Sequence, residues 1–185
     1  MVSRTHRKKR KQARDTARKR FIKAKRKNLL ADRGARDMVI ILDGLKTTFN
    51  IGKVFRTADA FGARKIHLVG TDFFDPAPAK GSFHHVPAVF DAIFADTYGS
   101  LAQEEYKFFI FSPHGGKPLN DVELPEKSAF IFGHEEFGFS FDPADYADLN
   151  LLHIPQVGKV ESLNVSIAAS IAMYEYVRQH PEIRK

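Results

Sequence analysis

LLHIPQVGKVESLNVSIAASIAMYEYV occupies residues 151–177, and three kinds of local structure follow one another within it. The apolar run 151–154 is closed by Pro155, which cannot donate to a sheet ladder and so marks the end of a strand. Residues 156–162 carry Gly158, Lys159, Glu161 and Ser162, types suited to a turn with exposed backbone amides, and such a turn is expected to hold a ligand. From Leu163 to Glu175 the sequence predicts a helix capped by Ser162. Its small side chains at Ala168, Ala169, Ser170 and Ala172 would admit a close neighbour. Asn164 would then lie one turn inside an apolar helix, where burying its amide without a partner costs about 1–3 kcal/mol. A polar group in that place is expected to have a task. Strand, capped turn and helix also make the ordinary end of an α/β domain, and this stretch alone leaves that alternative open.

Working upstream, a closing strand is preceded by a short acidic turn of helix at 142–148. Before that, a buried-type strand at 128–132 runs into GHEEFGFS, residues 133–140. Two glycines flanking two carboxylates predict a tight, ligand-facing loop. Glu135 or Glu136 could orient a polar substrate there, or the two could act as an acid–base pair.

Near the start of the body, a strand at 38–43, a helix ending at Gly62 and a strand at 65–70 form a β-α-β unit of about thirty residues, which implies a parallel pair with a right-handed crossover. Asn50, Gly52, Arg56 and Thr57 open the helix, and Val54, Phe55, Ala58 and Phe61 form its apolar side. Arg56 falls near the carboxyl edge of the strands, where open α/β sheets bind ligands, although most helix arginines are simply solvated.

Between these regions, 71–86 reads as a loop. It contains His84 and His85, but without cysteine or matched carboxylate spacing no metal site is expected. Residues 87–98 are ambiguous between strand and helix, 99–105 completes a helix, 107–112 is a strand, and a glycine-bearing loop follows.

The 185 residues suit one domain plus a tail. No apolar run approaches the roughly 20 residues of a bilayer crossing, so a soluble protein without a membrane partner is expected. Cysteine is absent, which removes disulfides, thiolate nucleophiles and cysteine-bound zinc and fits a reducing, cytoplasmic setting. The N-terminus lacks the apolar core of a secretory signal. Residues 1–36 hold sixteen Lys and Arg against Asp15 and Asp32, a balance of +14. The remaining residues balance to −7, which recovers the formal net charge of +7. Basicity therefore belongs to the first segment. It carries Ala13, Ala17, Phe21 and Ala24 at helical spacing and is expected to be helical when neutralised or disordered when alone, serving as a polyanion-binding arm of the kind that binds RNA, with a solubilising or localisation tail as the alternative.

Three segments in order, NIGKVFRTADAFGA (50–63), FIFGHEEFG (130–138) and LHIPQVGKVESLNVSIAASIAMYE (152–175), resemble the three motifs of the SpoU or TrmH-like branch of the SPOUT superfamily, the knotted S-adenosylmethionine-dependent RNA methyltransferases. The resemblance covers roughly residues 38–177. It implies an α/β fold with an open, mainly parallel sheet, helices on both faces and a deep C-terminal trefoil knot within roughly 130–177. Residues 1–36 would then be an extension to a methyltransferase domain at 37–185.

By motif position the resemblance assigns cofactor contacts to Gly133, Ile154 and Leu163, with Ser112 and Pro113 at the preceding loop. The cofactor would be S-adenosylmethionine, released as S-adenosylhomocysteine, with no metal. It implies a homodimer, with the last helix packing on its partner through its small residues. It implies catalysis by Arg56, aligned by Asn50, Glu135, Ser162 and Asn164, and a tRNA or ribosomal RNA substrate methylated on a ribose 2′-hydroxyl. His134 departs from the pattern, which has a small or hydroxyl residue there.

Two other functions compete. A non-catalytic RNA-binding or ribosome-associated factor on the same scaffold would keep the arm and bind no S-adenosylmethionine. A nucleotide-dependent oxidoreductase would need a G-x-G-x-x-G at the first helix, which begins instead with NIG.

Overall fold

The computed structural model describes residues 4–47 and 49–181, with side chains from Gln12 onward. Seven strands form one sheet in the order β3-β2-β1-β6-β4-β7-β5: β1 (Arg36–Asp43), β2 (Ala63–Val69), β3 (Ala88–Asp91), β4 (Lys107–Phe111), β5 (Lys117–Pro118), β6 (Ser128–Phe132) and β7 (Leu149–His153). Every neighbouring pair is parallel. Parallel sheets require cover on both faces, and β1 is accordingly buried without alternation from Met38 onward. One face, with Met38, Ile40 and Leu42, packs against α1 (Arg4–Asn28), α2 (Phe49–Phe61) and α4 (Val165–Gln179). The other, with Val39 and Ile41, packs against α3 (Phe94–Gln103).

The ambiguous stretch 87–98 divides at Ile93 into β3 and α3. Asp91, at the end of β3, anchors the junction by accepting a hydrogen bond from Thr97 Oγ1 (2.6 Å) and pairing with His67 Nδ1 (2.7 Å). The expected helical turn at 142–148 is a single 3₁₀ turn, Pro143–Asp145, capped by the Asp142 carboxylate. β5, two residues long, is too short to have left any periodicity in the sequence.

Where the sequence left helix and disorder open, the basic segment is helical from Arg4 to Asn28. Ala17, Phe21, Ala24 and Asn28 form one buried stripe at helical spacing. Phe21 sits among the rings of Phe73, Phe74, Phe83 and Phe90, at 5.4 to 6.0 Å. Asn28 donates to Phe83 O and Val86 O and accepts from Ala88 N. The second half of α1 is therefore part of the core, while Gln12 to Thr16 are all exposed.

Gly52 of the NIG segment has a packing reason. A Cβ there would meet Ala79 N at 2.9 Å, so only glycine lets α2 lie against the loop after β2. Among the described residues, no helix is long and apolar enough to cross a membrane.

Candidate active site

A cavity of about 460 Å³ opens at the carboxyl ends of β4, β6 and β7, bounded by the start of α4. It lies at the sheet edge that binds ligands in open α/β folds, and its volume suits a small molecule. Ser112, Pro113, Gly133, Glu135, Ile154, Ser162, Leu163 and Asn164 all line it.

The loop after β6 forms one wall. His134 and Gly138 exchange backbone hydrogen bonds (2.7 and 3.0 Å), closing a tight turn. A Cβ on Gly133 would stand 2.7 Å from Gly138 O, so this floor position is closed to any larger residue. His134 Nδ1 accepts from the amides of Glu136 (2.9 Å) and Phe137 (3.2 Å). An imidazole nitrogen thus does what a short hydroxyl does in such a turn, which accounts for the departure from the motif. Asp43, buried at the end of β1, secures the far side by accepting from Ser140 N (2.6 Å) and Ser140 Oγ (2.7 Å).

The start of α4 differs from expectation. Its N-cap is Asn164, whose Oδ1 accepts from Ser166 N (3.0 Å) and Ser166 Oγ (2.6 Å), while Ser162 remains exposed in the turn before it. The amide at Asn164 is therefore a cap and not an interior residue, and this satisfies the donors that a helix start leaves open. With Oδ1 committed as acceptor, Nδ2 is free to donate, and it points to Asn50 Oδ1 at 3.3 Å. Asn50 in turn donates from Nδ2 to Glu135 Oε1 at 2.8 Å. One directional hydrogen-bonded path, Ser166 to Asn164 to Asn50 to Glu135, thus joins all three sequence motifs at the mouth of the cavity.

Burial opposes ionisation of Glu135, but the hydrogen bonds from Asn50 and from backbone amides, including Lys46 N, together with the nearby His134, hold its carboxyl below the usual range. Glu136 points outward to Lys46 Nζ (2.7 Å), which lowers it as well. Glu135 is held by Asn50 Nδ2 and the Lys46 amide, and Glu136 by the Lys46 ammonium.

Gln156 also lines the cavity. Its Oε1 is buried and has no hydrogen-bond partner among the described residues. Neither it nor Asp43 was singled out by the sequence, because nothing local marks a turn glutamine as inward-facing or a strand-end aspartate as a loop anchor.

Arg56 is the exception among the expected residues. Six positions after Asn50 on the same helix, it faces away from the cavity and lines a shallow apolar groove between α2 and α4 with Phe61, Ile167 and Tyr174. Thr57 Oγ1 and Ser170 Oγ, 2.9 Å apart, tie these two helices together. Ala169 and Ala172 are fully buried within the chain, whereas Ala168 and Ser170 are only partly buried and Ser170 lines the groove. Among the described residues no cluster of three or more His, Asp or Glu could hold a metal ion.

Comparison with known proteins agrees with the parallel α/β fold. The chain is 31% identical over 153 residues to a TrmH family protein of Staphylococcus aureus (strain COL) named for tRNA/rRNA methyl transfer, covering 78% of this chain and 60% of the relative. It superimposes on the SpoU methyltransferase AviRb of Streptomyces viridochromogenes, solved with AdoMet, with TM-score 0.71 and 26% identity over 82% of this chain and 60% of that one. A structure concerned with 2-OH methylation of C/U34 on tRNA matches with TM-score 0.67 and 28% identity over 78% of this chain and 95% of that one. The chain spans about 60% of the length of the first two. The model of the SpoU rRNA methylase family matches residues 37–174, and the chain belongs to that family.

Proposed function

We propose that this chain transfers a methyl group from S-adenosylmethionine to a ribose 2′-hydroxyl of structured RNA, tRNA or ribosomal RNA, in the compartment where that RNA resides, the cytoplasm. The supporting observation is the hydrogen-bonded path from Asn164 through Asn50 to Glu135 at the mouth of a cavity of fitting size.

Besides its size, the cavity suits the cofactor in that the unpartnered Gln156 Oε1 can accept a hydrogen bond from an amino group. Gly133, Ile154 and Leu163 would hold it, with Ser112 and Pro113 at one end. When bound, S-adenosylmethionine supplies a methyl group made electrophilic by its sulfonium charge and leaves as S-adenosylhomocysteine. A ribose hydroxyl is too weak an acid to react unaided at neutral pH, so a protein group must take or share its proton. Arg56 has that role in this proposal, activated by a substrate phosphate, while Asn50, Glu135, Ser162 and Asn164 fix the acceptor's orientation.

Arg56 lies outside the cavity of its own chain, and a homodimer formed on the α2–α4 groove would bring it to the partner's cavity. Ile167 and Tyr174, exposed at 51% and 58% beside that groove, supply apolar surface for such an interface. The C-terminal segment is threaded as a knot in the same proposal. Residues 122–126 bond to the last turn of α4, through Gln179 with Val122 O and Leu124 N, His180 with Leu124 O, and Tyr176 with Glu126 O, as a loop wrapped around a threaded helix would. The exposed cations of α1 bind RNA phosphates.

Incubation of the protein with labelled S-adenosylmethionine and total RNA, followed by mapping of 2′-O-methyl positions, tests the function. Label in RNA at ribose is expected. Cofactor binding without any RNA labelling would overturn the proposal and favour a non-catalytic RNA-binding factor.

A further inference from the structure

Building on the proposed RNA methyl transfer, we infer that Phe49 and Phe137 form a stacking surface for an unpaired base of the RNA beside the Asn50–Glu135 pair. The chain has 17 phenylalanines. Among the described residues only Phe49 and Phe137 are exposed, at 64% and 80%. Single exposed apolar residues are ordinary, but the placement of these two is not scattered. Phe49 precedes Asn50, and Phe137 lies two residues after Glu135, so each adjoins one member of a pair bonded at 2.8 Å. Lys46 pins the two turns further, from its backbone N to Glu135 (3.4 Å) and from Nζ to Glu136 (2.7 Å).

Phe137 stacks on the His134 ring at 4.7 Å with an interplanar angle of 29°, which steadies it while most of its surface stays open. It does not line the cofactor cavity. Lys53, exposed one turn after Phe49, adds a cation beside the aromatic surface. Exposed rings interleaved with cations are the chemistry that holds unpaired nucleotides, because every base has a π-face and every linkage a phosphate. The geometry also calls for such a nucleotide. A ribose brought to the Asn50–Glu135 pair carries its base along, and a base drawn out of a helix loses its stacking neighbours unless the protein replaces them.

A short single-stranded oligoribonucleotide carrying one 2-aminopurine serves as the probe, with its fully paired duplex as control. The wild type is expected to quench the single strand and not the duplex. Phe49→Leu with Phe137→Leu keeps apolar bulk without a π-face, so the quench should be lost; Phe137→Trp should retain it. Each leucine variant should lower kcat/KM for RNA about tenfold while the Kd for S-adenosylmethionine measured by calorimetry stays constant. Quenching that survives in the double leucine variant, or a wild type that never quenches the single strand, would overturn the inference. So would a change of oligomeric state on sedimentation as the sole effect, since the rings would then meet a second copy of the chain. Failure of methyl transfer by the wild type on any RNA would instead remove the proposed function, and the quench, which needs no turnover, separates the two failures.

Discussion

Asn50 donates to Glu135 at 2.8 Å across 85 residues of sequence, and this contact carries the register of the whole site. Asn50 opens α2 beside the end of β1, Glu135 sits in the turn after β6, and β1 and β6 are adjacent parallel strands in the sheet. The loops that follow two neighbouring parallel strands emerge at the same edge, so their polar residues meet without long connections. Asn164 completes the path from α4 and fixes which end of each amide points where.

Asn50→Asp removes the only donor in the middle of this path and sets a second carboxylate against Glu135. Methyl transfer is expected to fall by about 10²-fold or more, as for loss of an orienting polar group, with cofactor affinity held within about threefold. Steady-state kinetics on RNA, paired with calorimetric titration of S-adenosylmethionine, checks the split.

Arg56→Ala should abolish transfer and spare cofactor binding. Mixing it with Asn50→Ala subunits distinguishes whether Arg56 serves its own cavity or that of a partner. If it acts across the interface, random heterodimers hold one intact site and activity recovers to about a quarter of wild type. If it acts within its own chain, the mixture stays inactive.

Glu135 sets an acid limb. Its folded pKa lies below the ordinary carboxylate value, so its contribution to stability is fully present above that value and is lost as pH falls through the lowered one. Activity governed by this carboxylate should therefore persist into mildly acidic solution and then drop. Glu135→Gln, which cannot ionise, should flatten that limb in a pH–rate profile; a limb of unchanged shape would assign it to another group.

The two halves of α1 should separate experimentally. Phe21→Ala opens a hole among four phenylalanine rings and is expected to cost about 3–5 kcal/mol in denaturant unfolding. Replacing exposed Arg14, Arg18 and Lys19 with Gln should leave the unfolding midpoint nearly unchanged while reducing the salt slope of RNA binding by about one for each phosphate that the helix then leaves unneutralised.

Gln156→Ala removes the unpartnered acceptor from the cavity. S-adenosylmethionine affinity is expected to fall about tenfold in calorimetry, in line with loss of one buried hydrogen bond. Affinity equal to wild type would mean that this oxygen meets no cofactor group.

By itself the sequence determined the parallel α/β class, the strands at β1, β2, β4, β6 and β7, the helix that begins within the LNVS segment, and, through its motifs, most of the residues around one cavity. These are legible because buried strands and glycine-bearing turns leave local patterns that packing does not reverse. Only the tertiary structure decided that Asn164 is a cap and not a helix-interior amide, since the two differ by where one carbonyl begins to accept. It decided that Phe21 and Asn28 belong to the core, because a stripe of four residues among so many cations becomes apolar only when a complementary surface lies opposite. It also decided that Arg56 turns from the cavity Asn50 addresses. Six residues along a helix of 3.6 per turn place two side chains on different sides, and which side meets the cavity depends on how the helix is laid against the sheet.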